Sequence, residues 1–280
     1  MRRSWLGVVG AAIILLSLAP GLAAAAPGRV VSMNLCTDQL AMLLAAPGQL
    51  VSVSFLAHDP RSSAMAAEAR RFPANTGQAE AIFRMKPDLV LAGTYTTRAT
   101  VEMLRRLDIE VVEFAPATSL NDVRDRIAIM GAALKREQAA RELIARFDAD
   151  LAAMQVEGVE KPVAALYYAN GFTVGSGALA DSIVQEAGLQ NLAAVLGLEG
   201  SGFLPLERLV FAEPHVIVTD DRFDTPAIAQ EVFSHPALAA LKERTASAPV
   251  ADRYWVCGTP FVLEAIRRLV SARNALAAGR

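Results

Sequence analysis

Two cysteines, three histidines, one glycine pair ahead of a helix and two matched glutamates are the residues whose types and spacing bear on chemistry. The glutamates come first. Glu80 sits in AEAIFRMKPDLVLAGTY, positions 79–95, and Glu207 in LERLVFAEPHVIVT, positions 206–219. Each stands seven residues before a proline, Pro87 or Pro214, and an apolar strand follows each proline. The offset is 127 throughout, so Ile82 answers Leu209, and Leu89, Val90 and Leu91 answer Val216, Ile217 and Val218. A carboxylate in the first turn of a helix gains about 0.3–1 kcal/mol from the dipole. That accounts for either glutamate alone. A matched pair suits docking to a two-fold symmetric partner that bears arginines.

Cys36 and Cys257 allow two readings. In an oxidising compartment they can form a disulfide closing most of the chain into one loop, worth roughly 5 kcal/mol in the chain-entropy account. They can equally be unpaired thiols, one in each half. Cys36 with His58 would make a nucleophile pair, without a third group to orient it. His215 opens an apolar strand and His235 precedes a proline, which leaves His58 in a loop a ligand could reach. There is no H-x-x-x-H, C-x-x-C or histidine-rich tract, so no dedicated metal site is expected. A manganese or zinc receptor would want several histidines in such loops. Gly175, Gly177 and Ala180 form G-x-G-x-x-A at a helix start, which a dinucleotide pyrophosphate could use. The acidic residue that should end the next strand is missing. An exported dinucleotide-dependent oxidoreductase is the alternative this turn raises, and a tight turn with a helix cap is the simpler reading. G-x-S-x-G and a phosphate loop ending in Lys-Ser or Lys-Thr are absent. No catalytic residue and no cofactor is assigned.

The elements that must position these residues alternate. Strands are expected at Arg29–Met33, Leu50–Ser54, Leu89–Ala92 and Ile109–Phe114, with helices from Thr37 (as cap) to Ala45, around Glu80, and over Arg98–Leu107. That alternation describes a parallel sheet with helices on its faces. Ser119 to Gln155 keeps helical apolar spacing, broken at Lys135–Gln138, and reads as two helices, the second from Glu137 to about Val156. A 20-residue helix spans about 30 Å, enough to cross between domains. Strands resume at Val163–Ala169 and Gly171–Val174, a helix follows to Ala187, and Leu196–Phe203 reads as a glycine-rich loop. After the second glutamate unit come an acidic loop, Asp220–Asp224, two short helices, a last strand at Tyr254–Val256 and a last helix over Pro260–Ala272. The fold class is therefore α/β: two lobes, each a mainly parallel sheet flanked by helices, joined by one long helix. The bounds are 1–26 for a leader, 27–136 for the first lobe, 137–157 for the linking helix and 158–280 for the second lobe.

The leader has Arg2 and Arg3, an apolar run from Trp5 to Ala19, a Pro20-Gly21 break and small residues at Ala23–Ala26. That is a secretory signal peptide cleaved near Ala26, which implies an exported protein. An uncleaved anchor is the competing reading, since Ser4 to Ala26 is uncharged and nearly long enough to span a bilayer. Removal leaves 25 basic residues against 29 acidic. Hydrophobic residues make up 53% and charged ones 20%, the composition of a packed globular protein. Neither the charge nor any basic-aromatic run fits a nucleic-acid partner.

Loops after the strands of parallel sheets face the ligand crevice. Here they carry Asn34, Cys36, Phe55, His58, Tyr95, Tyr168, Phe172, Arg222, Phe223 and Cys257, with Phe203 ending the glycine-rich loop. Such a crevice suits a large, mostly neutral ligand held by aromatic faces. Each aromatic taken singly is equally consistent with core packing.

On RVVSMN, the E-x-I-x-x-x-K-P-D-L-V-L-A unit at Glu80, VGSGALADSIVQEAGLQNLA, the glycine loop into L-E-x-L at Glu207, and SHPAL, the chain resembles a known family. These are the periplasmic substrate-binding proteins of the iron-siderophore, haem and cobalamin ABC importers. The resemblance covers the chain beyond the leader. It implies two α/β lobes on a long helix, ligand between them, and Glu80 and Glu207 meeting arginines of an inner-membrane permease dimer. It further implies a monomer with no enzymatic activity, carrying a corrinoid or a ferric chelate. The aromatic loops and scarce basic residues favour the corrinoid. His215 departs from the usual aspartate, Lys135 from a helix-ending glycine, and the cysteine-bearing loops NLCTDQL and WVCG are unusual.

Overall fold

Proline stops both repeated helices. A residue before proline is driven out of the right-handed helical region. Lys86 and Glu213 both leave it for the left-handed one, at φ 48° and 44°. Pro87 and Pro214 are both buried, and each is followed within two residues by a strand.

The computed structural model describes residues 25–155, 161–220 and 228–278. The leader through position 24, the end of the linker at 156–157, and Arg222 and Phe223 lie outside them.

The first half runs β1 (Val30–Ser32), α1 (Leu35–Leu44), β2 (Leu50–Ser54), α2 (Ala66–Ala69), β3 (Ala74–Asn75), α3 (Ala79–Arg84), β4 (Leu89–Gly93), α4 (Arg98–Arg106) and β5 (Glu110–Phe114). Its sheet is parallel, in the order β3-β2-β1-β4-β5. Two helices follow, α5 (Leu120–Leu134) and α6 (Glu137–Ala152). The second half runs β6 (Val163–Leu166), β7 (Phe172–Val174), α7 (Leu179–Glu186), β8 (Gln190–Asn191), α8 (Leu192–Val195), β9 (Ser201–Phe203), α9 (Leu206–Ala212), β10 (Val216–Thr219), α10 (Pro236–Lys242), β11 (Ala246–Pro249) and α11 (Val262–Ala278). Its main sheet is also parallel, in the order β11-β10-β6-β8, and β7 pairs antiparallel with β9. The fold is α/β in two lobes, as expected.

Several local expectations change. The cap of α1 is Asn34, whose side-chain oxygen accepts from the backbone N–H of Cys36 and Thr37. Thr37 is one turn inside, buried, and hydrogen-bonds Ser32. Tyr254–Val256 is not a strand, since Asp252–Tyr254 is a 3-10 turn. The last strand is β11, whose ASAP sequence gives little hydrophobic signal, and its edge position tolerates Pro249. The glycine-rich stretch before Glu207 contains β9, and the polar loop after His58 contains α2 and β3.

Helix α5 starts with a capping box, Ser119 with Asp122, and ends at Lys135 in the left-handed region, φ 55°, where a glycine would be unstrained. Helix α6 ends at Ala152, four residues short of the expected Val156. It lies against α5, where a Cβ on Gly131 would meet that of Ala140 at 2.4 Å. Its buried face, Leu143, Phe147 and Leu151, belongs to one apolar cluster that includes Ile127 of the first half and Ile183 and Leu269 of the second. The helix that joins the lobes is thus packed into a shared core rather than standing free between them.

Candidate functional site

The two parallel sheets aim their strand ends at a common seam. The first turn of α1, directly after β1, and the loop after β11 meet there covalently: Cys36 and Cys257 form a disulfide with Cα atoms 5.1 Å apart, at a sequence separation of 221. Of the two readings of the cysteines, the bridge is the one found. Around it the halves touch closely. A Cβ on Gly258 would lie 2.2 Å from that of Ala117, and Arg253 Nη1 donates to the carbonyl of Pro60 at 3.2 Å.

On the second-lobe side lies a cavity of about 570 Å3. Its wall is aromatic: Trp255 packs edge-on to Tyr168 at 6.2 Å, Tyr168 lies 6.2 Å from Phe172, and Phe172 meets Phe203 edge-on at 6.0 Å. Phe233 lines the far side. The small residues Ala169, Val174, Ala180 and Ser201 leave the space open. Asp220 after β10 and Asp252 supply the polar part of the lining. Burial, with these two carboxylates nearby, pushes the Tyr168 hydroxyl well above its usual pKa, so it remains a neutral donor.

On the first-lobe side lies a smaller cavity of about 180 Å3. Asn34, Cys36, Gly93, Thr94, Tyr95, Phe114 and Arg126 line it, with Val256 and Gly258 of the second lobe. Val256 faces both cavities, so the two are neighbouring parts of one crevice. Gly93 is required here, because a Cβ would come 2.9 Å from the Asn34 amide nitrogen.

Among the expected ligand-binding residues, the structure brings Asn34, Cys36 and Tyr95 to the smaller cavity and Tyr168 and Phe172 to the larger. Phe203 joins through its ring contact with Phe172, and Cys257 through the disulfide. Phe55 and His58 line neither cavity. They sit in a 3-10 turn after β2, with Phe55 exposed and His58 Nε2 buried without a partner. Arg222 lies outside the described residues. Sequence reasoning missed Trp255, Phe233 and Asp252, because Trp255 reads as a strand, Phe233 as the end of a short helix, and Asp252 falls between the expected elements. It missed Arg126 because α5 is a helix, whereas only loops were searched; its helical position Leu120-x-x-Val123-x-x-Arg126-Ile127, on the buried stripe, was the signal available.

The competing chemistries find little support in the geometry. Cys36 sulfur is committed to Cys257, so a Cys36–His58 nucleophile pair has no thiol. At the Gly175 turn the backbone amides of Gly175 and Ser176 donate to Gly200 and Leu198 carbonyls, and a Cβ on Gly175 would strike Leu198 O at 2.0 Å. Those amides cannot also cradle a pyrophosphate. No group of three or more His, Cys, Asp or Glu gathers at ligating distance among the described residues.

Glu80 and Glu207 lie one per lobe, on α3 and α9, and both are exposed. Glu80 makes an exposed 3.4 Å pair with Arg84, an interaction of little energetic weight. Phe83 and Phe211 are exposed on the same two helices.

Comparison with known proteins bears on this arrangement. A family described as periplasmic binding protein matches residues 30–244. A cobalamin-binding protein of Halobacterium salinarum is 31% identical over 212 residues, covering 72% of this chain and 57% of that protein's length. The match thus spans little more than half of that relative. Among solved structures, the periplasmic heme-binding protein RhuT from Roseiflexus sp. RS-1 superimposes with a TM-score of 0.73 at 22% identity, covering 89% of this chain and 98% of that one. The periplasmic vitamin B12 binding protein BtuF of Vibrio cholerae gives 0.62 at 19% identity, covering 90% and 98%. Both share the fold. No helix among the described residues is long and apolar enough to cross a membrane.

Proposed function

The chain belongs to the periplasmic binding protein family, and from that premise we propose that it is the solute-binding component of an ABC importer, with no enzymatic activity of its own. It captures its ligand in the crevice between the lobes and presents it to an inner-membrane permease dimer. The observation that carries this reading is the aromatic-walled cavity of about 570 Å3 beside the inter-lobe seam. Asn34, Tyr95, Tyr168, Phe172 and Phe203 are the expected residues that stay in the binding set, and Trp255 and Phe233 join it. Lobe bounds at 27–136 and 158–280, a periplasmic location after cleavage of the leader near Ala26, and a monomeric state belong to the same reading.

The ligand is a corrinoid or a ferric chelate, and the corrinoid is favoured. The curated relative's cobalamin-binding description supports it, as does a series of edge-on and tilted rings suited to a broad, flat face. Calorimetry with cobalamin, haem and a ferric hydroxamate tests it: micromolar or tighter binding to one of them is expected, and no binding to any of them sinks the reading. Docking is tested separately. Replacing Glu80 and Glu207 together by alanine should abolish uptake in a transport assay and leave ligand affinity unchanged; lost affinity would reject the docking role.

A further inference from the structure

One buried charge on the first-lobe side has no direct ion pair among the described residues. Arg126 of α5 is only 6% exposed. Its guanidinium lies over the Phe114 ring, 5.9 Å from the centroid, and Nη1 donates to the carbonyl of Ala115. Its Nε is buried without a partner. It forms no ion pair among the described residues. Asp122, one turn earlier, acts on it through its charge without an ion pair: its Oδ2 accepts from Thr118 N, Thr118 Oγ1 and Ser119 N. Burying a cation without a direct ion pair is costly, and desolvation lowers the pKa of this arginine, the charge of Asp122 only partly opposing it. Such an arrangement costs stability, and an anion brought into the adjoining cavity would offset that cost.

The surroundings say where that anion comes from. Arg126 lines the 180 Å3 cavity at the seam. The other polar groups there are donors. The Asn34 oxygen is spent on the α1 cap, so its amide nitrogen is the end left to donate, and Thr94 and Tyr95 add hydroxyls. No carboxylate lines it. A cavity of this size admits an oxyanion on an arm and is too small for the body of a corrinoid or porphyrin.

We propose that Arg126 is a specificity residue that pairs with an oxyanion, carboxylate or phosphate, carried on an arm of the ligand whose body occupies the aromatic cavity. This rests on the crevice being the ligand site. The ligand class thereby narrows to chelates with an anionic periphery, and a ferric hydroxamate without one is disfavoured. A phosphodiester arm and a propionate arm share this chemistry, and the test separates them.

Calorimetry on the exported protein uses two matched pairs and one neutral probe. The pairs are cobalamin with cobinamide, which lacks the phosphodiester, and haem with its dimethyl ester. The neutral probe is a ferric trihydroxamate. The wild type should prefer the anionic member of one pair by at least about tenfold. Arg126→Met should erase that preference while leaving the neutral member's affinity within about twofold, and Arg126→Lys should keep part of it. Melting curves check that each variant folds. Should Arg126→Met unfold, Arg126→Lys alone and wild-type stabilisation by inorganic phosphate against chloride still read the site. Equal loss for both members of the pair, or an unchanged preference, overturns the subsite. Tight binding of the hydroxamate alone overturns the subsite and leaves the crevice reading standing. Binding of none of the five removes both.

Discussion

The two lobes repeat in their frames and part company at the crevice. The strand order β2-β1-β4-β5 of the first is matched by β8-β6-β10-β11 of the second. Each has a short helix ending in a left-handed residue before a buried proline, Lys86-Pro87 and Glu213-Pro214. Each also buries an aspartate, in α1 or α7, bonded to the strand that stands first in that matched order, β2 or β8. Asp38 accepts from Ser54 N and Oγ, and Asp181 from the Asn191 amide. The crevice faces have no such correspondence. The first lobe offers a small cavity with a guanidinium and neutral donors, the second a cavity three times larger with an aromatic wall. Repetition survives where main-chain geometry and core packing dictate the residue. Divergence collects in the loops past the strand ends, where substitutions cost the frame little and alter what is bound.

Three experiments would break or sharpen that contrast. The largest effect is expected at the covalent seam. Changing Cys36 and Cys257 to serine should cost about 2–5 kcal/mol of stability, read as a lower denaturant midpoint. A single transition should persist, because the core cluster through α6 is continuous between the lobes. Two separated transitions would mean that the lobes are independent bodies joined by the bridge. Mass spectrometry without reductant should find neither thiol open to alkylation.

Next comes the difference between the walls. Phe172→Ala should weaken ligand binding about 10- to 100-fold, the equivalent of losing an aromatic contact worth about 1.5–3 kcal/mol. Tyr95→Ala, across the crevice and 88% exposed, should cost less than about fivefold. Equal losses would show that the two faces grip the ligand alike.

The smallest effect concerns the aspartate of the first lobe. Burial raises the Asp38 carboxyl from 3.8 to about 6, against hydrogen bonds from Ser32 and Ser54 that lower it. A carboxyl raised in the folded state contributes its stability below about pH 4 and loses it as pH rises through about 6. Between about pH 4 and pH 6, the wild type should therefore lose about 2 kcal/mol more than Asp38→Asn. Parallel pH curves for the two would remove Asp38 as the source.

Much of the frame was legible without coordinates. Pro87 and Pro214, with the apolar runs behind them, marked two helix-strand units because proline acts on its own neighbours. The β2 bounds and the break between α5 and α6 followed from local periodicity and capping. The errors fell where the local signal was weak or misleading. ASAP makes an edge strand through its pairing with β10, and WVCG, though rich in β-forming residues, makes none.

What the amino-acid order determined, then, was the two-lobed α/β frame and the exposed glutamate on each half, since both rest on interactions among residues close in the chain. Tertiary structure alone decided that Cys36 meets Cys257, that Trp255 closes the aromatic wall, and that Arg126 is buried with its Nε unpartnered. Each of those depends on segments brought together by packing across the shared core. The burial of a side chain, and the partner it finds there, is a property of that packing and of no local pattern.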